Sequence, residues 1–162
     1  YSMLAQSLSL IEDLPWQIIL VGDGPARTEI EKAFASVAQQ RVCFCGQLDP
    51  LATADLLTAA DLFTWPALNE AFGMAILEAH RHGLPVVAGY TDGVASLVND
   101  GQTGLLTRPP EPVVFANAMR RLLEDPDLRR RMALSARDKF LEQHDFDAAA
   151  SRIQQFLLQV RP

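Results

Sequence analysis

Short runs of nearly continuous apolar residues alternate along the chain with longer stretches in which apolar residues recur every three or four positions. The first run, residues 16–21, is stopped by Gly22-Asp23-Gly24-Pro25. Continuous apolarity over so short a length is the pattern of a parallel strand buried on both faces. Residues 26–39 read as a helix that gathers Ile30, Ala33, Phe34 and Val37 on one side. A second strand is predicted over 42–45, a helix over 51–60, and a strand over 61–66 that Pro66 ends. A helix opening at Phe72-Gly73 should reach His82, with Gly83 as its C-terminal cap. Residues 85–88 form another buried strand, 94–99 a short helix, and 103–107 the last strand after an Asp100-Gly101 turn. Three helices close the chain over 113–123, 128–141 and 146–160, the first two divided by Asp125-Pro126-Asp127. Strands alternating with helices specify an α/β domain, a doubly wound parallel sheet with flanking helices and a helical C-terminal tail. One domain over 1–162 accounts for the whole pattern.

Composition narrows the partners. The chain is 49% hydrophobic and 21% charged, with 14 Lys and Arg against 20 Asp and Glu, a net charge of −6. That balance argues against nucleic acid, which is bound by neutralising phosphates. A small anion remains compatible, because backbone amides at a helix start bind phosphate whatever the net charge. No run approaches the ~18 to 20 apolar residues of a membrane span. The opening Tyr1-Ser2-Met3-Leu4-Ala5 lies inside an amphipathic pattern, so the chain is read as an excised piece. Cys43 and Cys45 share one face of a strand at a spacing poor for a disulfide, and are expected to be reduced, packed thiols in a reducing, cytoplasmic setting.

In an open parallel sheet, ligands bind beyond the carboxyl ends of the strands. The loops there are 22–25, 46–50, 66–73 and 89–93, which together hold much of the glycine. At Gly73 a loop becomes a helix, so the amides of Met74 and Ala75 are first-turn donors without helical partners. Glu78 follows about a turn and a half along that helix, where a carboxylate accepts both hydroxyls of a ribose if its face turns to the cleft. Glu70, in the preceding loop, is placed to meet the hydroxyls of a sugar beyond the phosphates. Spacing alone fits equally well a solvated helix residue and an ordinary loop acid. Gly22-Asp23-Gly24 lacks the third glycine of a dinucleotide fingerprint, since Arg27 stands in its place, and reads as a tight strand-to-helix turn. His80 and His82 point in different directions on one helix, and Arg129-Arg130-Arg131 reads as a solvated helical face.

Taken in order, Val21-Gly22-Asp23-Gly24-Pro25, Phe44-Cys45-Gly46, Ala60-Asp61-Leu62-Phe63, Glu70-Ala71-Phe72-Gly73, Leu77-Glu78-Ala79, the run from Gly83 to Ala88 and the run from Asp100 to Leu106 resemble the C-terminal domain of the family 4 retaining glycosyltransferases. Glu70 and Glu78, separated by seven residues, resemble that family's pair of glutamates. The resemblance implies one Rossmann-like half of a two-domain GT-B architecture, with the acceptor-binding N-terminal domain absent. It implies a nucleoside diphosphate sugar as donor, no required cofactor or metal, and transfer to a hydroxyl with retention. Glu78 would hold the ribose, Glu70 the donor sugar, and Met74 and Ala75 the distal phosphate. Gly73 would let the phosphate approach closely, Phe72 and Gly22 would belong to the donor-binding set, and Gly46, Gln47, Leu48 and Asp49 would flank the base through backbone contacts. The acceptor, a glycan, lipid or small molecule, would be read by the other half. A peripheral position of the parent at the inner membrane face is compatible with that reading.

Two departures from the family pattern matter. The family usually carries two glycines and, three residues on, an acid after the 85–88 strand; here Asp92 replaces a glycine and Ser96 the acid. An Arg and a Lys that neutralise the diphosphate, with the strand leading to them, lie upstream of Tyr1 in the family. That strand would be central, between the 16–21 and 61–66 strands, so the sheet should either close over its place or leave unpaired edges. Alone, the chain is expected to have little transferase activity. The exposed apolar residues of the last helix, Phe156 and Leu157, would then mark a surface for the other half. The rivals are a nicotinamide-dependent oxidoreductase, which the incomplete fingerprint disfavours, and a non-catalytic binding or assembly domain derived from a transferase, which the altered 92–96 loop favours.

Overall fold

The computed structural model describes residues 1–68 and 70–159. Its elements run α1 (Ser2–Ser9), β1 (Ile18–Val21), α2 (Arg27–Phe34), β2 (Val42–Gly46), α3 (Pro50–Ala59), β3 (Phe63–Trp65), α4 (Met74–Arg81), β4 (Val86–Gly89), α5 (Asp92–Leu97), β5 (Gly104–Thr107), α6 (Pro112–Glu124), α7 (Pro126–Gln143) and α8 (Phe146–Gln159). The α/β class, the parallel strands, the flanking helices and the helical tail are as the alternation predicts. Val160, the expected end of the last helix, lies outside the described residues.

The local chemistry explains the boundaries. Asp49 caps α3 by accepting the Ala52 amide at 2.9 Å, and Pro50 follows at the first helical position. Asp125 caps α7 in the same way through the Leu128 amide at 2.8 Å, again with proline next. Helix α2 is shorter than its apolar spacing predicts. It ends at Phe34, and a 3-10 turn over Gln39–Arg41 leads into β2. Phe34 and Val37, both buried, anchor this change of direction. Helix α1, whose limits the sequence did not mark, buries Met3, Leu4, Ala5 and Leu8 and lies against α6.

All strand pairs are parallel, but the strands form two sheets, β1-β2 and β3-β4-β5. Of the two expected outcomes the second holds: β1 and β3 do not pair, and both line one cavity of about 1220 Å³. Strand β4, paired on both sides, is buried along its whole length. Strand β1 has one partner, and Ile19 and Val21 are exposed by 48% and 41%. This corrects the expectation of a strand buried on both faces, because apolarity encodes a wish for cover and not the cover itself.

Two apolar clusters stabilise the halves. One joins α1, α6 and the first sheet around Leu4, Phe34, Phe115 and Met119; the other joins α4, α5 and β4 around Ile76, Val86, Val94 and Leu97. Cys43 and Cys45 are free thiols with sulfurs 3.6 Å apart, as their shared face predicts. They are not packed as expected, however: Cys43 is exposed, since Val42 and Phe44 take the core side of β2. The hydrogen bond with Cys43, followed by burial, raises the Cys45 thiol pKa. Arg129 is likewise not part of a solvated face. Its guanidinium donates to the carbonyls of Leu122 at 2.7 Å and Leu123 at 3.3 Å, closing the end of α6.

Candidate functional site

The loop between β3 and α4 is built by three constraints. Pro66 ends β3. Gly73, at the helix N-cap, has φ +98°, a left-handed conformation that only glycine adopts without strain. A side chain there would also meet Ile76 Cδ1 at 3.1 Å and Leu97 Cδ1 at 3.5 Å. Packing within α4 and against α5, as well as backbone conformation, therefore selects this glycine. The Gly73 carbonyl accepts the Ile76 amide at 2.9 Å, so the helix winds from Met74 with its first amides directed outward. Met74 and Phe72 are exposed by 62% and 47%.

Helix α4 divides cleanly by face. Ile76, Leu77, Ala79 and His80 are buried, whereas Ala75 and Glu78, three apart and so on one side, turn away from the core. Both line the large cavity together with Glu70. The face condition on Glu78 is thereby met, and the structure brings the two glutamates to one cavity. The Glu70 carboxylate accepts the Trp65 indole N–H at 3.1 Å and the Phe72 amide at 3.2 Å. Its backbone carbonyl accepts the Thr91 hydroxyl at 2.9 Å.

The loop after β4 lies against Glu70 on its other side. Thr91 caps α5 by accepting the Val94 amide at 3.2 Å. Asp92 opens that helix, and its carboxylate accepts the Tyr90 hydroxyl at 3.3 Å. The Arg108 guanidinium, from the end of β5, stacks on the Tyr90 ring. Ser96 donates to the Gly93 carbonyl at 2.6 Å, so its hydroxyl is used inside α5 and offers no substitute for an acid.

The remaining predicted residues lie on the rim of the first sheet. Gly22 and Gly46 are joined by an N–H to carbonyl bond of 2.7 Å, which holds the ends of β1 and β2 together. Asp49 has its carboxylate engaged in capping α3, consistent with backbone contact alone, while Gln47 is exposed and Leu48 half-buried. None of Gly22, Gly46, Gln47, Leu48, Asp49, Phe72, Gly73 or Met74 lines the cavity that holds Glu70, Ala75 and Glu78. Reading the sequence missed Trp65, Thr91 and Tyr90. Their roles arise where loops fold back on one another, and no periodicity records that.

A family model described as glycosyl transferases group 1 matches residues 1–125. Alpha-D-kanosaminyltransferase of Streptomyces kanamyceticus is 33% identical over 138 residues, covering 85% of this chain and 36% of the relative. The sulfoquinovosyl transferase of Arabidopsis thaliana is 31% identical over 149 residues, covering 90% and 28%. The chain thus spans about a third of the length of these curated relatives. Among solved structures, sucrose-phosphate synthase from Thermosynechococcus elongatus superposes with a TM-score of 0.84 at 27% identity, over 98% of this chain and 41% of that one. HepE of Anabaena, in complex with UDP and glucose, superposes with a TM-score of 0.82 at 27% identity, over 98% and 44%.

Proposed function

The chain belongs to the glycosyl transferases group 1 family, and from that premise we propose that it is the donor-binding half of a longer, retaining glycosyltransferase. It holds a nucleoside diphosphate sugar for transfer to a hydroxyl acceptor. The observation that carries this reading is that Glu70, Ala75 and Glu78 stand together along one border of the cavity between β1 and β3. Helix-start amides suit phosphate, and carboxylates on either side suit hydroxyls. Glu78 takes the ribose, Glu70 the sugar, and the Met74 and Ala75 amides the distal phosphate. The UDP complex of a structural relative favours uridine as the base. Bond breaking is assisted by positioning and by stabilising charge on the departing phosphate. The unpaired edges of β1 and β3 are where a further strand of the parent is expected to insert, and the acceptor is read by its other domain. Among the described residues no helix is long and apolar enough to cross a membrane.

Titration of the 162-residue chain with UDP, GDP and ADP tests the reading. One nucleotide, expected to be UDP, should bind, and Glu78→Ala should weaken it roughly tenfold or more, the effect of losing hydrogen bonds to a charged group. Binding unchanged by Glu78→Ala would remove that residue from the site. No binding by any nucleotide, either to this chain or to its full-length parent, would count against the whole assignment.

A second reading, a non-catalytic binding or assembly domain derived from a transferase with a weakened donor site, is favoured by Asp92. Its carboxylate stands at the start of α5 where the family has glycine, and a negative charge there opposes a diphosphate. Asp92→Gly is expected to tighten UDP several-fold. An unchanged affinity means that the Tyr90 contact already holds the carboxylate clear of the phosphates.

A further inference from the structure

Glu70 is held more firmly than a loop acid needs to be. Donors from β3, from its own loop and from the loop after β4 converge on it: the Trp65 indole and the Phe72 amide on its two carboxylate oxygens, and the Thr91 hydroxyl on its carbonyl. Trp65 is the last residue of β3, and its ring stacks on Phe63 at 6.2 Å between centroids with 17° between planes. The indole is therefore oriented by the strand before the loop begins. A carboxylate oxygen accepts about two hydrogen bonds, so each Glu70 oxygen still has an acceptor position for a ligand hydroxyl.

We propose that Trp65 is a positioning residue that fixes the Glu70 carboxylate toward the sugar of the donor, so that this chain distinguishes a nucleotide-sugar from the free nucleotide through the pair. The inference rests on the reading that Glu70 meets the donor sugar. A glutamate free to rotate loses side-chain freedom when it binds a hydroxyl, whereas one already held at both oxygens loses little. The indole N–H also strengthens the placement, because hydrogen bonds to an ionised acceptor are the stronger kind. A bland role is open to Trp65 as well, since a half-buried indole usually finds some acceptor for its N–H. The two roles differ in what they predict for ligands with and without the sugar.

The test titrates the full 162-residue chain with UDP and with UDP-glucose, using the wild type, Trp65→Phe, Glu70→Gln and the double variant. Phenylalanine keeps a ring against Phe63 and removes the donor together with part of the indole, a loss of packing that the UDP arm reports separately. UDP affinity is expected to stay within about twofold throughout, which also reports that each variant is folded. UDP-glucose affinity should fall about fivefold in Trp65→Phe, and the double variant should be no weaker than Glu70→Gln alone, the sign of residues acting as one unit. Equal loss of UDP and UDP-glucose in Trp65→Phe overturns the proposal in favour of a packing role. So does unaltered UDP-glucose binding in Trp65→Phe, or losses that multiply in the double variant. If Glu70→Gln leaves UDP-glucose binding unchanged, the reading of Glu70 fails first and the Trp65 proposal falls with it.

Discussion

Gly93→Ala is expected to destabilise the chain by about 3 kcal/mol or more and to abolish nucleotide-sugar binding. A methyl group at that position would lie 2.0 Å from the Ala71 carbonyl oxygen, 2.6 Å from its carbon and 3.1 Å from the Phe72 amide. These are backbone atoms, so no rotamer change relieves the contact, and one of the two segments must move. Overpacking of this kind costs ~1–3 kcal/mol where the surroundings yield, and more where they do not. Yielding is restricted here from both sides. The 70–72 loop is tied to α5 by the Thr91 hydroxyl on the Glu70 carbonyl, and its preceding end is pressed on Gly89, where an added Cβ would come within 1.9 Å of the Pro66 oxygen. For a chain of this size, 3 kcal/mol lowers the thermal midpoint by roughly 6 to 12 °C. Gly24→Ala is the matched control, because an added Cβ there meets nothing within 4 Å. Its midpoint should be unchanged or slightly raised. A Gly93→Ala chain that melts with the control and still binds UDP-glucose would mean that the loop carrying Glu70 moves freely from α5.

How far the sequence disclosed this arrangement depends on the range of the interaction. The 16–21 and 85–88 runs both announced strands through continuous apolarity, yet only β4 is covered on both sides. The difference lies in what flanks each strand, which composition does not carry. The order Glu70, Gly73, Glu78 placed the acids around a helix start, and 3.6-residue geometry then put Glu78 on the Ala75 side, opposite Ile76 and Leu77. That much is local and legible. Asp92 and Ser96 were legible only as departures from a pattern. Their hydrogen bonds, to Tyr90 and to the Gly93 carbonyl, show one as a carboxylate beside the site and the other as part of the α5 backbone network. Trp65 and Thr91 gave no signal, because each acts on Glu70 across a loop closure, and in the case of Thr91 across a strand pair. The same holds for Arg129, whose contact with the end of α6 depends on how two helices turn about Asp125.

Acid should unfold this chain earlier than its carboxylates alone dictate, and His80 is the expected cause. The imidazole is fully buried on the core side of α4, and neither ring nitrogen has a hydrogen-bond partner among the described residues. Burial first, and then the charge of nearby Lys139, lowers its pKa from 6.5 to about 4. Lys139 reaches in from α7, donating to Asn99 Oδ1 at 2.7 Å and to the Ser96 carbonyl at 3.3 Å, so a cation already occupies this interface. His144, at the end of α7, is lowered as well, by burial and then by Lys139. For a base whose folded pKa lies below its unfolded value, the unfolded chain binds the proton first. Stability from His80 is then intact above pH 6.5 and is lost as the pH falls from 6.5 toward 4, by about 3 kcal/mol in all. Urea unfolding at pH 7, 6, 5 and 4 measures this, with His80→Phe beside the wild type. The variant should lose markedly less stability over that interval, the remaining slope belonging to the carboxylates and His144. Parallel slopes in the two proteins would mean that the folded chain binds the His80 proton as readily as the unfolded chain does. Glu78 sits two residues from His80 on the opposite face of the same helix, so α4 cannot open for one without displacing the other. Donor binding by the wild type should therefore weaken across the same pH interval, and His80→Phe should retain more of it.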